Sequence, residues 1–407
     1  MSAHRTRMLV AACCATVVAT TTTVAQRSRP TVATRATVTS RATLSARLRD
    51  SLRSVLTAAL TDGAFPGAVA VVGNHTGIIA SASVGMLDAS DQTRPSLTTI
   101  YDLASLTKII ATTSLILDLT DQGRIALDTP VVRYLPEWRG PRTAGITIRQ
   151  LLTHSSGLAA WRPFYKEATD RADARAQLML VGPDAPPGTR FLYSDMNFML
   201  LGMVVEQLTG LPLDKAFDQR IATPLRLTDT RFRPDSSLQP RIAPTEFDPW
   251  RQRQLRGEVH DENASRFDGV SGHAGLFSTA TDLARVARMW LNRGTLDGAT
   301  LAAPATVAEF ARVQDTLVSR RALGWETPTG TNSAGHHLSA RAFGHTGFTG
   351  TSVWIDPSRD LFVILLTNRV NPTRENRRIG AVRIALADAV AGALVSVSAA
   401  RSSASSP

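Results

Sequence analysis

Cysteine is almost absent from this sequence, which has two, Cys13 and Cys14, among its 407 residues. Both lie in residues 1–25, where a basic start, an apolar segment and small residues at the end are typical of a secretory signal peptide. Its removal would leave no cysteine, which excludes a disulfide scaffold, a zinc–thiolate site and a cysteine nucleophile. A threonine run makes this segment too polar for a transmembrane span of about 20 apolar residues. We therefore predict an exported protein, periplasmic or extracellular, with no stable membrane span after cleavage.

One alternative to a cleaved and released chain stays open at the same segment. The tetrapeptide Val10–Cys13 (VAAC) resembles a lipoprotein cleavage box, but five residues between Arg7 and Cys13 are few for the apolar region of a signal. Lipidation is therefore the minor alternative, and the exact cleavage site is left open.

Lysine is also scarce: it supplies 3 of the 45 basic residues, and arginine supplies the other 42. The formal net charge is +11, a balance that nucleic-acid-binding proteins share. The arginines are spread singly along the chain, however, and aromatic residues make up 6% of it, so no basic arm with interleaved aromatics is present. We predict a solvated basic surface without a nucleic-acid partner, which is compatible with an anionic cell wall.

The sequence likewise lacks a pattern for a metal or an organic cofactor. It contains no glycine-rich phosphate loop, and the stretch Val259–Ala264 (VHDENA) has consecutive candidate ligands without a partner cluster. We interpret this stretch as a segment that orders a loop near a cleft. No cofactor and no metal site are predicted.

The distribution of residue types indicates one large domain between two low-complexity ends. Residues 26–43 are rich in Thr, Arg and Ser and are predicted to be a flexible linker, and residues 396–407 a disordered tail. Helical spacing of leucines begins at Leu44. Strand-like runs lie near both ends of the domain, at 65–73, 77–85, 351–357 and 361–369.

Strands near both ends, with a mainly helical segment between them, predict the fold class. We expect an α/β (α+β) fold in which an antiparallel sheet is built from both ends of the chain and flanked by helices. The domain would cover residues 44–395, with a mainly helical subdomain inserted at about 115–290. A catalytic cleft is expected where the sheet and the subdomain meet.

One of the three lysines, Lys108, lies three residues after Ser105 in the stretch YDLASLTKIIATT. If a helix begins at Ser105, this spacing places both side chains on one face. A serine hydroxyl is a poor nucleophile that needs a base within hydrogen-bond reach, and a lysine can serve if burial lowers its pKa. The N-terminus of the helix also directs N–H groups toward an oxyanion. The structural alternative is an N-cap serine followed by a lysine that extends to solvent.

A second polar pair, Tyr193 and Asp195, lies just before a strongly apolar helical run. Tyr193 could relay protons between a nucleophile and a leaving group, and Asp195 could orient Lys108 or the substrate. The structural alternative is that both residues begin and cap a core helix.

A third motif, His345-Thr346-Gly347, precedes a strand-like run. Small residues at an edge strand allow the backbone of a substrate to pair alongside it. The N–H of the next residue, Phe348, could supply a second oxyanion donor. The structural alternative is a glycine-rich turn with a structural histidine.

Taken in order, Ser-x-x-Lys, Tyr-x-Asp and His-Thr-Gly resemble the signatures of the serine β-lactamase and penicillin-binding protein fold family. More narrowly, they resemble the branch that contains class C β-lactamases, DD-peptidases and serine esterases. The resemblance runs from about Leu44 to Val395 and includes Leu151–Leu158 and Gly272–Leu291. It implies a β-lactamase/transpeptidase-like fold.

The resemblance also implies a role for each matched residue. The implied catalytic residues are Ser105 as the acylated nucleophile, Lys108 as its base partner, Tyr193 in proton transfer and His345 assisting across the cleft. The implied oxyanion donors are the backbone N–H groups of Ser105 and Phe348. The implied substrate-binding residues are Asp195, Thr346 and Gly347.

Two positions depart from the family pattern. Asp195 stands where the family usually has Asn, and an ionised carboxylate accepts hydrogen bonds but donates none, so it would hold Lys108 charged. His345 replaces the lysine common in β-lactamases, which weakens recognition of a substrate carboxylate. Both departures favour a DD-peptidase or esterase-like enzyme.

The sequence therefore predicts an exported serine hydrolase that forms an acyl-enzyme with amide or ester substrates. Cell-wall peptides are candidate substrates, and β-lactams would act as their mimics. The alternatives are an efficient class C-type β-lactamase and a penicillin- or wall-peptide-binding sensor without turnover. The native acyl donor and acceptor and the oligomeric state stay open.

Overall fold

The computed structural model describes residues 32–90, 92–330 and 332–404, with side chains from 42 to 394 within those ranges. The predicted signal peptide, the first six residues of the predicted linker (26–31) and residues 405–407 lie outside the described residues. Thr43–Pro407 group into one compact unit.

The described residues contain strands and helices whose bounds are as follows. The strands are β1 (Gly67–Asn74), β2 (Gly77–Gly85), β3 (Tyr101–Asp102), β4 (Arg231–Phe232), β5 (Phe247–Asp248), β6 (Arg253–Gln254), β7 (Leu276–Ser278), β8 (Thr295–Leu296), β9 (Ala299–Thr300), β10 (Phe343–Thr346), β11 (Ser352–Asp356) and β12 (Leu361–Thr367). The α-helices are α1 (Val32–Thr61), α2 (Ser114–Asp121), α3 (Ile148–Leu152), α4 (Phe164–Glu167), α5 (Arg171–Met179), α6 (Asp195–Thr209), α7 (Leu213–Phe217), α8 (Glu262–Arg266), α9 (Ala280–Leu291), α10 (Pro304–Ala311) and α11 (Ile379–Ala404). Wider π-helical turns occupy Lys108–Thr113 and Asp218–Ala222, and 3₁₀ turns occupy Val131–Arg133 and Ser236–Arg241.

In the described part of the chain, the largest sheet has five strands in the order β10-β11-β12-β1-β2. Every neighbouring pair in it is antiparallel, and the two halves of the chain meet where β1 pairs with β12, with Ala68 opposite Thr367. The predicted antiparallel sheet built from both ends of the chain is therefore confirmed.

The two faces of this sheet bury two different sets of side chains, because successive residues of a strand point to opposite faces. On β1, Val69 and Val71 belong to the large core that the helical middle of the chain completes. Ala68, Ala70 and Val72 face the other way and pack in a second core with leucines of α1 and apolar residues of α11. The helices therefore flank the sheet on both sides.

Between β2 and β10, the chain consists of helices, loops and very short strands, and it carries Ser105, Lys108, Tyr193 and Asp195. Helix α6 is almost wholly buried over its first three turns and packs against the π-helical turn that begins at Lys108. A small sheet in the order β3-β7-β4 joins the segment before Ser105 to the segment after His273. Ser105, Tyr193 and His345 thus come together from distant parts of the sequence.

The ends of the domain differ from the sequence prediction. Helix α1 begins at Val32 rather than near Leu44, so residues 32–43 of the predicted linker are helical, because neither glycine nor proline interrupts the chain between Thr31 and Asp62. Helix α11 runs to Ala404 and covers most of the predicted tail.

Among the described residues, no single helix is long and apolar enough to cross a membrane. The helices Asp195–Thr209 and Leu213–Ala222, bent by 73° at the break between them, meet that requirement of length and composition together.

Candidate active site

Ser105 lies on a tight turn between β3 and the helical segment that leads into α2. The preceding residue, Ala104, has a left-handed backbone with φ of 46°, which costs an alanine about 1–2 kcal/mol. The buried carboxylate of Asp102 holds this turn, because it accepts hydrogen bonds from the N–H of Ala104 at 2.8 Å and of His260 at 2.6 Å. The fold therefore fixes the position of Ser105 through a strained turn.

Lys108 is fully buried beneath Ser105, and three partners surround its ammonium. Its Nζ donates to Ser105 Oγ at 2.9 Å and to the carbonyl oxygen of His273 at 3.0 Å, and it lies 2.8 Å from Asp195 Oδ1. Burial acts to lower the pKa of Lys108, but the charges of Asp195 and Tyr193 outweigh it, and the pKa is raised above its ordinary value. The condition under which Lys108 could serve as a neutral base, a lowered pKa, is therefore not met, and the group facing Ser105 Oγ is a hydrogen-bond donor.

Tyr193 packs over the same ammonium, with its ring centroid 5.1 Å from Lys108 Nζ. Its ring lies between two histidines, with centroids 4.4 Å from His154 and 5.9 Å from His345. His154 in turn accepts a hydrogen bond from the N–H of Ser194 at 3.1 Å, directly beside Tyr193 in the chain. The position of the phenol is thus set by contacts on both sides and by its neighbour in sequence.

His345 lies on β10 and presents one free ring nitrogen. Its Nδ1 donates to the carbonyl oxygen of Thr346 at 2.8 Å, since a carbonyl can only accept. Burial, together with the nearby charges of Arg321 and Lys108, holds the pKa of His345 well below its ordinary value. The ring is therefore neutral, and its Nε2 is an acceptor that has no partner among the described residues.

Ser105, Tyr193 and His345 line one open cleft. Its other lining residues are Arg321, Glu326, Thr346, Gly347, Phe348, Arg369 and Arg383. The backbone N–H groups of Ser105 and Phe348 donate to no backbone acceptor in the part of the chain that the structure describes. Two unengaged N–H groups beside a nucleophile are the arrangement that stabilises an oxyanion.

Gly347 allows β10 to approach the segment before Ser105 closely. A Cβ at this position would lie 2.1 Å from Thr351 Oγ1 and 2.4 Å from the carbonyl oxygen of Leu103. The next residue, Phe348, has 49% of its surface exposed, and its ring lies against the Arg369 guanidinium at 4.4 Å and the His260 ring at 5.5 Å. These contacts fix the position of the N–H of Phe348.

A second carboxylate, that of Asp261, contacts Lys108 indirectly through His273. Asp261 Oδ1 lies 3.0 Å from His273 Nε2, and the backbone carbonyl of that histidine binds Lys108. Side-chain atoms of Asp195, Asp261 and His273 lie within 4.8 Å of one another, a grouping that could hold a metal ion. The Lys108 ammonium already binds Asp195, and His273 binds Asp261, so each of these groups already has a polar partner.

All the site residues identified from the sequence come together in the structure. Asp195 binds Lys108 and the others line the cleft. Sequence reasoning interpreted His154 and His273 as hydrogen-bonding loop residues and placed Asp261 in a segment that orders a loop near the cleft, but it did not connect them to Lys108 and Tyr193. It also missed the charged lining residues Arg321, Glu326 and Arg383, because isolated charges in an arginine-rich chain give no sequence signal.

Comparison with known proteins adds to this geometry. The sequence model of the family described as Beta-lactamase matches residues 52–387. The chain belongs to the β-lactamase family. The predicted family, its β-lactamase/transpeptidase-like fold and the assignment as a serine hydrolase are thereby confirmed.

Proteins that are similar to this chain have different names. The chain is 37% identical over 343 residues to the N-acetylmuramyl-L-alanine amidase of Bacillus subtilis (strain 168), which covers 75% of this chain and 77% of that protein. A penicillin-binding protein homologue from Caulobacter crescentus has a TM-score of 0.70 at 23% identity, covering 85% of this chain and 97% of that one. A class C β-lactamase from Rhodobacter sphaeroides has a TM-score of 0.66 at 21% identity, covering 84% and 98%.

Proposed function

We propose that this β-lactamase-family hydrolase is exported and cleaves amide bonds in cell-wall peptides through an acyl intermediate on Ser105. One observation carries the proposal: Ser105 Oγ lies 2.9 Å from a buried ammonium and next to two unengaged N–H groups in an open cleft. The similarity to an amidase of N-acetylmuramyl-L-alanine supports the substrate class. Export follows from the N-terminal sequence pattern and from the location of a cell-wall substrate.

In the acylation step, Ser105 Oγ attacks the carbonyl carbon of the substrate. Tyr193 relays the proton: its side-chain oxygen accepts the proton of Ser105 as its own proton passes toward the leaving amine, while the Lys108 ammonium stabilises the negative charge that develops on both oxygens. The carbonyl oxygen becomes an oxyanion that accepts hydrogen bonds from the N–H groups of Ser105 and Phe348. When the C–N bond breaks, the leaving amine takes the proton from Tyr193.

Deacylation repeats the same steps with water as the nucleophile. Water gives its proton to Tyr193 and attacks the ester carbon, and the proton then returns to Ser105 Oγ as the C–O bond breaks. The unpartnered Nε2 of His345 accepts a hydrogen bond from this water or from the leaving amine. The group stays neutral at pH 7, because burial and neighbouring cations keep its pKa low.

The charge on Lys108 favours amide and peptide substrates over rapid β-lactam turnover. Asp195 engages the ammonium as an acceptor and offers no donor to a substrate carbonyl, whereas an asparagine at this position would offer one. β-Lactams would therefore acylate Ser105, and the resulting acyl-enzyme would be hydrolysed slowly.

The test compares the wild-type mature protein with Ser105→Ala and Tyr193→Phe on muropeptides, a p-nitrophenyl ester and a chromogenic cephalosporin. Ser105→Ala should abolish turnover of every substrate, and Tyr193→Phe should lower the rate of acylation by about 10²–10⁴-fold. Ser90→Ala, an exposed serine in a loop, is the matched control and should behave as wild type. Intact-mass spectrometry would locate any adduct.

The outcomes separate the alternatives. Muropeptide cleavage that depends on Ser105 supports the proposal. Turnover of the ester alone would identify an esterase, and rapid cephalosporin turnover would identify a β-lactamase. A stable adduct without any turnover would identify a sensor, and activity that survives Ser105→Ala would refute the mechanism.

A further inference from the structure

The cleft contains charged groups that the proposed reaction does not use. Arg321 lies on the segment before β10, and Arg383 lies on α11. Glu326 lies on a short segment whose backbone pairs with Gly344 of β10. All three line the same cleft as Ser105. Because these three residues lie on different elements, only the folded structure brings them together in the cleft.

Both guanidiniums retain unused donors. Arg321 is 7% exposed, and the one hydrogen bond that its guanidinium makes among the described residues is a long one of 3.5 Å to the carbonyl oxygen of Gly324. Its Nε is buried and has no acceptor there. Arg383 binds the carbonyl oxygens of Gly347 and Thr351 through Nη2, and its Nε also lacks an acceptor there. Neither forms an ion pair with a described carboxylate. Burying a cation without a counter-ion is unfavourable in free energy, and a ligand carboxylate is the group that would pair with these guanidiniums.

Glu326 is the complementary group. Its backbone N–H and carbonyl oxygen pair with Gly344, which fixes its position, while its carboxyl group makes no hydrogen bond among the described residues. Burial raises its pKa, and the charges of Arg321 and Arg383 act against this rise. The carboxyl group is therefore near both arginines but remains available to another partner.

A purely structural explanation would make Glu326 the counter-ion of the two arginines. In that case an ion pair within 4.0 Å would be expected, as the chain forms at Arg374 and Glu262, where the two atoms are 2.8 Å apart. No such pair joins Glu326 to Arg321 or Arg383 in the described residues. The acid and the cations are thus held apart within one cleft.

From this arrangement we infer that the cleft binds a free amino-acid end group of the substrate, with its carboxylate on Arg321 and Arg383 and its ammonium on Glu326. The inference rests on the proposed function, and it narrows the substrate to peptides that carry an ammonium and a carboxylate on one carbon. It also revises the expectation that replacing the family lysine by His345 weakens carboxylate recognition, because arginines from other elements supply the cations.

The test uses three cell-wall tripeptide substrates with the same scissile amide and different third residues. The first has 2,6-diaminopimelate, whose side chain ends in both charges; the second has lysine, which has the ammonium only; the third has diaminopimelate with that carboxylate amidated. The wild-type enzyme should prefer the first by at least about 10-fold in kcat/KM, because unmatched buried charges penalise the others. Arg321→Gln should remove this preference through KM, with kcat nearly unchanged, and Arg321→Lys should restore part of it. Glu326→Gln should instead raise KM for all three peptides, because each of them carries the ammonium.

Glu375→Gln, an exposed glutamate before α11, is the matched control and should leave the preference intact. Calorimetric titration of Ser105→Ala with the intact peptides measures the same preference in affinity, without turnover. Equal kcat/KM for the three peptides, an unchanged preference in Arg321→Gln, or an unchanged KM in Glu326→Gln would overturn the inference while leaving the hydrolase intact. If no peptide is cleaved, the proposed function fails, and the titration alone then decides: selective binding of the first peptide supports the inference, and equal or absent binding refutes it.

Discussion

The charge state of Lys108 is the feature of the site most open to test, and Asp195→Asn is the change that tests it. The substitution keeps the size and one acceptor oxygen of the side chain but removes the negative charge 2.8 Å from the buried Nζ. It also restores the residue that this branch of the family usually has. We expect it to lower the pKa of Lys108 and to shift the pH dependence of catalysis.

The structure sets the size of the effect. Two unit charges 2.8 Å apart attract by roughly 6 kcal/mol at an effective dielectric constant of about 20. Solvent screens part of this attraction, because the Asp195 side chain is 20% exposed. Loss of an opposite charge at such a distance shifts a pKa by about 1–3 units, which corresponds to about 1.4–4 kcal/mol. If the reaction needs the ammonium, the alkaline limb of kcat/KM should move to lower pH by the same 1–3 units.

Stability should change in the same sense. The pKa of folded Lys108 lies above its ordinary 10.5, so the ion pair stabilises the fold at every pH below 10.5, and this contribution is lost as the pH rises further. Asp195→Asn leaves a buried cation with fewer partners and should cost about 2–4 kcal/mol at pH 7. The cost should shrink toward pH 10 as Lys108 in the variant loses its proton.

The assay is a profile of kcat/KM for a peptide substrate from pH 5 to 11, with urea unfolding at pH 7 and pH 10. Asp261→Asn is the matched control, because it makes the same charge change at a carboxylate that binds His273 instead of Lys108 directly. It should shift the alkaline limb much less. An unchanged limb in Asp195→Asn, or equal shifts in both variants, would refute the assignment of Lys108 as the ammonium form.

Two further predictions concern the cleft and its histidines. Gly347→Ala should remove most activity and about 2–3 kcal/mol of stability, because its Cβ would lie 2.1 Å from Thr351 Oγ1. Gly380→Ala on α11, with nothing within 4 Å, should stabilise by about 0.5–1 kcal/mol, and equal urea midpoints for the two variants would contradict the packing argument. Below pH 6.5 the free energy of unfolding should fall by about 1.4 kcal/mol per pH unit for each of His154 and His345, because burial lowers both pKa values and the unfolded chain binds the protons first. Urea titrations that give a flat profile from pH 6.5 to 5.5 would show that these rings are not held neutral.

The sheet could be predicted from the sequence because its strands are short, apolar and bounded by turn residues. Strand β1 is buried along nearly its whole length and β12 is buried throughout, which matches their continuous apolar runs. The ends of the domain could not be predicted as well, since composition alone does not separate a linker from a helix. Helix α1 begins at Val32 although its first turns resemble a linker in composition.

The candidate site could be located from the sequence to the extent that its residues lie in short motifs. Ser105 and Lys108 lie three residues apart, and His345 begins a short motif of its own, so local spacing reveals each of them. Arg321, Glu326 and Arg383 carry no such signal, because only the pairing of β10 with its neighbours and the packing of α11 bring them together. The charged residues of the cleft could therefore be identified only from the folded structure.

The role of Lys108 illustrates why a matched motif does not fix a mechanism. The spacing to Ser105 predicts a contact, and the contact is present at 2.9 Å, but spacing contains no information about which partner holds the proton. That depends on Asp195, 87 positions along the chain from Lys108, and on the carbonyl of His273, which both favour the ammonium. Once Lys108 is a donor, the proton of Ser105 must pass to another group, and Tyr193 is held over the same ammonium. In the proposed mechanism, a single carboxylate in place of an amide thus moves the base from the first motif to the second.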